Sequence, residues 1–242
     1  MLDSLVLADR FCASQLFAEP HVASLPVLYE DNHLLVVNKP AGLATMGAVA
    51  GSTTVATLAA SYLKRRYQKP GNAFVGVVSR LDRLVSGVLV LARTSKAASR
   101  LSEQFRNQTT EKSYLAWVEG DFNASDWIEL QDSVIKDEAQ QWMRISTATS
   151  AGSQLAKLRV RAVKQERDRT HVAVQLLTGR KHQIRLQLAH AGHPILGDQK
   201  YGASTRFARG IALHCQRVTV DHPTRKEPLT FVAPVPEYWP RA

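Results

Sequence analysis

The sequence predicts an α+β domain built on a mainly antiparallel or mixed central sheet flanked by helices. Three observations carry that expectation. Short apolar, β-branched-rich runs recur at 27–30, 33–37, 75–78, 88–92, 112–118, 158–163 and 171–177. Only a few stretches between them repeat their apolar residues at helical spacing. No internal repeat or low-complexity linker divides the 242 residues, so these elements belong to one body with a sizeable core.

Residues 1–26 read as a lead-in packed on that body, their hydrophobic residues interrupted by Asp3, Asp9, Pro20 and Pro26. Two strands follow, joined at Asp31-Asn32, a pair suited to a tight turn. Asn38-Lys39-Pro40-Ala41-Gly42-Leu43 is then a loop whose path Pro40 and Gly42 fix. From 53 to 67, Val55, Leu58, Ala59, Tyr62 and Leu63 form a helical stripe behind a Ser52 or Thr53 cap. Its basic end, Lys64-Arg65-Arg66, suits a helix C-terminus as well as a phosphate.

The most informative stretch is 75–94, VGVVSRLDRLVSGVLVLART. Two apolar runs flank a polar insertion holding Arg80, Asp82, Arg83 and Ser86, and Gly87 marks backbone that turns or comes close. A carboxylate among so many apolar neighbours is costly unless a cation pairs with it. Arg80 and Arg83 are the nearest candidates, and a purely structural Arg–Asp pair explains the insertion as well as a reactive site does.

A second helix, capped by Thr94 or Ser95, runs to about Asn107 and buries Ala97, Ala98, Leu101 and Phe105. At 112–118 the period changes to strict alternation. Residues 122–150 are polar with scattered Trp127, Ile128, Trp142 and Ile145, and no element is assigned there. Strands resume at 158–163 and 171–177 around a charged hairpin loop, with Lys157, Arg159 and Arg161 on one face. A helix is expected from Thr178-Gly179-Arg180 through Ala191, then short strands at 211–214, 218–220 and 229–232, then a proline-rich tail.

Lys and Arg total 31 against 21 Asp and Glu, a formal charge of +10. That excess favours a polyanionic partner, without separating RNA from DNA or an anionic membrane. With only Cys12 and Cys215, no disulfide framework or cysteine-based zinc cluster can form. His182, His190 and His193 have no carboxylate or cysteine at a familiar ligand spacing, so no metal is expected. No run approaches a membrane span or a secretory leader, which fits a cytoplasmic protein.

Three ordered motifs resemble the RluA-type pseudouridine synthases. Arg80-Leu81-Asp82 with Ser86-Gly87 matches a signature usually written His-Arg-Leu-Asp and Thr-Ser-Gly; Ser79 and Val85 stand at the His and Thr positions. Residues 112–120, KSYLAWVEG, resemble the second motif, centred on Tyr114. Residues 176–202 resemble the third, with its Gly-Arg-x-His-Gln-Ile-Arg core, and the NKPAGL loop resembles a segment early in the catalytic domain. The resemblance covers most of 27–232 and implies a pseudouridine-synthase-like fold with a central cleft. One catalytic domain would occupy 27–242, since 1–26 is too short for the S4-type RNA-binding domain many relatives carry.

The activity so implied is isomerisation of specific uridines in tRNA or rRNA to pseudouridine, without metal or organic cofactor, RNA being the partner. Asp82 would be the reacting carboxylate. A free Asp titrates at about 3.9, so it is ionised without a separate base. The resemblance places Arg185 as its cation, Tyr114 against the target base to help remove the C5 proton, and Arg80 in the space a flipped nucleotide vacates. Arg180 and His182 are candidates for phosphate contact, and Ile184 and Leu188 for the wall of the pocket or the core. Two other readings stay open: a paired-carboxylate hydrolase using Asp82 with Asp198, and a non-catalytic RNA-binding protein that retains the synthase scaffold, with Ser79 and Val85 as its support.

Overall fold

The computed structural model describes residues 25–47, 52–140, 142–147 and 150–240. The expected lead-in falls outside them except for Leu25 and Pro26. In chain order the elements are β1 (Val27–Glu30), β2 (Leu34–Lys39), α1 (Val55–Arg66), β3 (Gly76–Val77), β4 (Ser86–Ala92) and α2 (Ser95–Arg106). Then come β5 (Glu111–Glu119), β6 (Ile128–Asp137), β7 (Trp142–Ser146), β8 (Gln154–Glu166), β9 (Arg169–Leu176), α3 (Gln183–His190), β10 (Leu213–Asp221) and β11 (Pro228–Val232). A single 3-10 turn, Gln199–Tyr201, follows α3.

The strands form one 11-stranded mixed sheet in the order β1-β2-β4-β10-β5-β9-β8-β6-β7, with β11 on β10 and β3 on β4. Among the described residues, β10 and β4 make the parallel pairing and the other ladders are antiparallel. This is the α+β architecture the strand pattern predicts, and local chemistry explains its turns. The Asp31 carboxylate accepts the backbone N–H of His33 and of Leu34 at 2.7 Å each, closing the β1–β2 turn. Thr54 and Thr57 form a reciprocal capping box at the start of α1. Thr94 caps α2 through the Ala97 N–H.

The structure corrects several sequence boundaries. Residues 122–150 contain β6 and β7, which show an exposed polar face and few buried residues, so their periodicity is faint in the sequence. The run at 75–78 pairs only at Gly76–Val77, whereas β4 begins at Ser86 and takes the end of the polar insertion into the sheet. The expected strands at 211–214 and 218–220 are one strand, β10, with a register shift between Cys215 and Arg217. The helix expected from 178 starts at Gln183, because the Gln183 carboxamide accepts the Arg180 N–H at 3.0 Å and the Thr178 hydroxyl at 2.8 Å, folding the approach into a turn.

Helix α2 packs on β3, β4 and β10 and α3 on β6 and β7, and residues of both helices line a cleft together with residues of β4, β5 and β10. The main core fills the sheet from β1 to β9. A second apolar cluster, Val134, Met143, Ala156 and Leu186, fastens the β6–β7 hairpin to α3. At the parallel junction Gly87 has φ +117°, and a Cβ there would lie 2.2 Å from the Cys215 carbonyl oxygen. The close approach noted in the sequence is therefore backbone to backbone. Gly87→Ala should destabilise the fold by roughly 3 kcal/mol or more, read as a lower denaturation midpoint; an unchanged midpoint would show that this junction is not tightly packed.

Candidate functional site

A cleft of about 440 Å³ gathers residues from all three sequence motifs and Ala44, Thr45 and Met46 from just after the NKPAGL loop. Asp82 lies on its wall in the loop between β3 and β4. That loop is tied down from two directions. On one side, Thr45 bonds both backbone polar groups of Leu81, its hydroxyl donating to the carbonyl at 2.8 Å and accepting the N–H at 3.2 Å. Gly42 and Arg83 exchange two further bonds. On the other, the Leu84 carbonyl accepts the Ile211 N–H at 3.2 Å. Within the loop, the Val85 N–H reaches the Asp82 carbonyl at 3.1 Å, a turn that presents the carboxylate.

Beneath both loops sits Lys39, wholly buried at the end of β2. Its ammonium donates to the carbonyls of Pro40 at 2.9 Å, Leu43 at 2.8 Å and Arg83 at 3.3 Å. Three donors meet three acceptors, so the group is fully satisfied. Burial nevertheless pulls its pKa down to about 7, against the opposing pull of Asp82. Sequence reading placed Lys39 in a loop; the signal for more was a lysine inside a run as apolar as LLVVNK.

Arg185, on the first turn of α3, supplies the cation that Arg80 and Arg83 do not. Its Nε and Nη2 donate to the two oxygens of Asp198 at 2.6 and 2.7 Å, and its Nη1 donates to Asp82 Oδ2 at 3.3 Å. The Arg185 and Asp198 side chains are 4% and 1% exposed, and the Asp82 side chain 29%. Burial works against the guanidinium charge, but the bonds and charge of Asp198, then Asp82, hold its pKa above the usual value. Asp198 is therefore spoken for and does not line the cleft, which removes the paired-carboxylate hydrolase. What the sequence offered as a second reactive carboxylate is the clamp of the arginine.

Tyr114, on β5 opposite Cys215 of β10, forms part of the cleft with Leu213, Ile184 and Val88. Burial, then the neighbouring Cys215 and Asp82, push its phenol well above the usual range, so the ring is neutral. The Cys215 thiol is pushed up to about 12, chiefly by burial. Lys112, two residues before Tyr114 on the same face, also lines the cleft, and burial lowers its pKa.

The remaining expected residues divide. Arg80 is exposed on the cleft wall, and Arg180 lines it while donating from Nε to the Leu155 carbonyl at 3.0 Å. Ile184 forms part of the wall. His182 lines the cleft and faces Asp82, its Nε2 3.7 Å from Oδ1. Leu188 is fully buried and does not line the cleft, because it lies a turn further along α3, inside the main core. The three histidines diverge: His182 meets Tyr201, His190 meets Asp132 and His193 meets the Glu119 carbonyl. Among the described residues no group of three or more His, Cys, Asp or Glu side chains is placed to hold a metal ion, and no helix is long and apolar enough to cross a membrane.

Comparison with known proteins agrees with this geometry. Residues 33–190 match the family described as RNA pseudouridylate synthase. The chain is 35% identical over 236 residues to the ribosomal large subunit pseudouridine synthase D of Xylella fastidiosa, covering 91% of this chain and 69% of the relative. It is 32% identical to the ribosomal large subunit pseudouridine synthase C of Vibrio vulnificus, covering 87% and 66%. In fold it resembles human RNA pseudouridylate synthase domain containing 4, with a TM-score of 0.71 at 22% identity, over 88% of this chain and 89% of that one.

Arg185→Met tests the clamp. The methionine keeps much of the aliphatic stem, but it strands Asp198 without a partner in the interior. A loss of about 3–5 kcal/mol of stability is expected, seen as a lower midpoint in denaturant, with a smaller loss when Asp198→Asn accompanies it. Equal stability in the single and wild-type proteins would show that the pair contributes nothing.

Proposed function

The chain belongs to the RNA pseudouridylate synthase family and is an isomerase of RNA uridines, and we propose that Asp82 is its reacting carboxylate, with Tyr114 and Arg185 as the other catalytic groups. The observation that carries the assignment is the triple contact of Arg185. Two of its nitrogens are bound to buried Asp198, so the third directs a fixed positive charge at a carboxylate that the cleft still exposes. A structural ion pair has no need to leave one partner open to a cavity.

In the reaction the bond between C1′ and N1 of the uridine breaks, the base turns, and C1′ rejoins at C5. The C5 proton leaves and N1 gains one, so the nucleoside is isomerised without an outside reactant. The Asp82 carboxylate meets the electron-poor C1′ as the base departs, while Arg185 holds that carboxylate in orientation. Tyr114 offers its face to the turning base and its neutral hydroxyl as a relay, the phenol proton passing on toward N1 as the oxygen takes the C5 proton. A uridine must leave its stack to enter, and Arg80 on the cleft wall is suited to fill the space left behind. Arg180 lies where it can meet the backbone of the bound strand, and Ile184 gives the base an apolar wall.

Ribosomal large-subunit RNA is the substrate class we favour, because the relatives that match at 32–35% identity carry that activity in their names. The net charge of +10 suits any RNA and does not choose between ribosomal and transfer RNA. A non-catalytic binding role has little support, since binding alone gives no reason to clamp a guanidinium against Asp82. Val85, one basis for that reading, is buried beside the cleft, where it packs.

Asp82→Asn decides the matter. The amide is nearly isosteric, so folding and RNA affinity should be retained, while pseudouridine formation should fall at least about a thousandfold. Pseudouridine mapping of large-subunit and transfer RNA from cells lacking the protein, complemented with wild type or variant, should show a ribosomal position restored by wild type alone. Restoration by Asp82→Asn would reject Asp82; a position lost only from transfer RNA would reject the ribosomal substrate.

A further inference from the structure

Tyr201 is not among the residues lining the cleft, yet its hydroxyl meets a ring that is. The phenol oxygen accepts the Met143 N–H of β7 at 3.3 Å and lies 2.8 Å from His182 Nδ1. With the backbone already donating to that oxygen, the hydroxyl proton is free to go to Nδ1, the acceptor within reach. The single proton of a neutral imidazole then resides on Nε2, which faces Asp82 Oδ1 at 3.7 Å. The charge of the carboxylate favours the same tautomer.

We propose that Tyr201 is a positioning residue for the isomerisation: it fixes His182 as the Nε2–H tautomer, and His182 and Arg185 together hold the plane of the Asp82 carboxylate toward the ribose. The inference rests on Asp82 being the reacting carboxylate. The two donors divide the two oxygens, Arg185 on Oδ2 and His182 on Oδ1, so the carboxylate cannot rotate without losing one of them. The His182 contact is longer than a hydrogen bond, as such contacts are in enzymes that tighten on binding substrate.

The ring has little freedom to turn away. His182 sits at φ +55°, a left-handed conformation uncommon outside glycine, and its side chain is only 12% exposed. Tyr201 meets it edge-on at 5.7 Å, and the Arg185 guanidinium lies 5.0 Å from the centre of the Tyr201 ring. Burial lowers the His182 pKa to about 4; Asp82 opposes that shift, and Arg185, Lys181 and Lys200 add to it. The ring thus supplies a donor without adding charge.

Tyr201→Phe removes the hydroxyl and keeps the ring. In the wild type, nitrogen chemical shifts of His182 should report the Nε2–H tautomer, and the variant should lose that preference. Its kcat should fall about 10- to 100-fold, with KM and RNA affinity unchanged. His182→Gln, whose amide reaches about as far as Nε2, should keep more turnover than His182→Asn, whose amide reaches only to Nδ1 and which tolerates the left-handed backbone. An Nδ1–H tautomer in the wild type, or wild-type kcat in folded Tyr201→Phe, would overturn the proposal. Turnover by Asp82→Asn would overturn both this and the reading beneath it. An inactive Asp82→Asn beside fully active Tyr201→Phe and His182 variants would overturn this one alone.

Discussion

The guanidinium of Arg185 carries its donors in one rigid plane, and Asp198 engages the Nε and Nη2 edge with two short bonds. The direction of Nη1 follows from that engagement, and it is the direction of Asp82. A lysine could balance the same charge but would leave its direction free. Burying an ion pair such as Arg185–Asp198 seldom adds net stability, since desolvation consumes most of the Coulomb gain. Its use here is orientation. The early part of α3 is arranged to the same end: Gln183 caps the approach from Arg180, and Gln187 ties the helix to Asp132 of β6 at 2.7 Å.

Asp82 needs an equally fixed position, because a directed cation is wasted on a wandering carboxylate. The loop that carries it is anchored to the 42–45 loop by Thr45 and Gly42 and, through Leu84, to Ile211 just before β10. Lys39 joins two of these segments from below through three carbonyls. Lys39 also lies near enough to Asp82 for the carboxylate to oppose the lowering of its pKa by burial. The paired residues Tyr114 of β5 and Cys215 of β10 form another part of the cleft lining.

Much of this arrangement is legible in the amino-acid sequence. Asp82 stood out because a carboxylate between two β-branched runs demands a cation, and the resemblance in the third motif pointed to Arg185 for that role. Residues nearby in sequence gave the wrong partners: Arg80 is exposed on the cleft wall, and Arg83 bonds the Gly42 carbonyl instead. Asp198 was visible only as a second carboxylate, since nothing in its neighbourhood says that it lies against an arginine 13 residues earlier. The apolar run around Lys39 signals its burial but not its carbonyl partners, and nothing local signals that Tyr201 meets His182. Leu188 shares the apolar side of Ile184, and helical spacing cannot say where a cleft ends and a core begins. β6 and β7 escaped notice because strands with one solvated face and few β-branched residues resemble loops in composition.

In the proposed reaction the uridine's ribose meets Asp82 while Arg185, clamped by Asp198, orients that carboxylate. A crystal structure of the protein bound to RNA carrying its target uridine tests this most directly. The uridine should lie flipped into the cleft, with an Asp82 oxygen within about 3–3.5 Å of its ribose, the base against Tyr114, and the Arg185–Asp198 fork intact. RNA bound on another surface with the cleft empty, or a uridine seated with its ribose away from Asp82, would contradict the account.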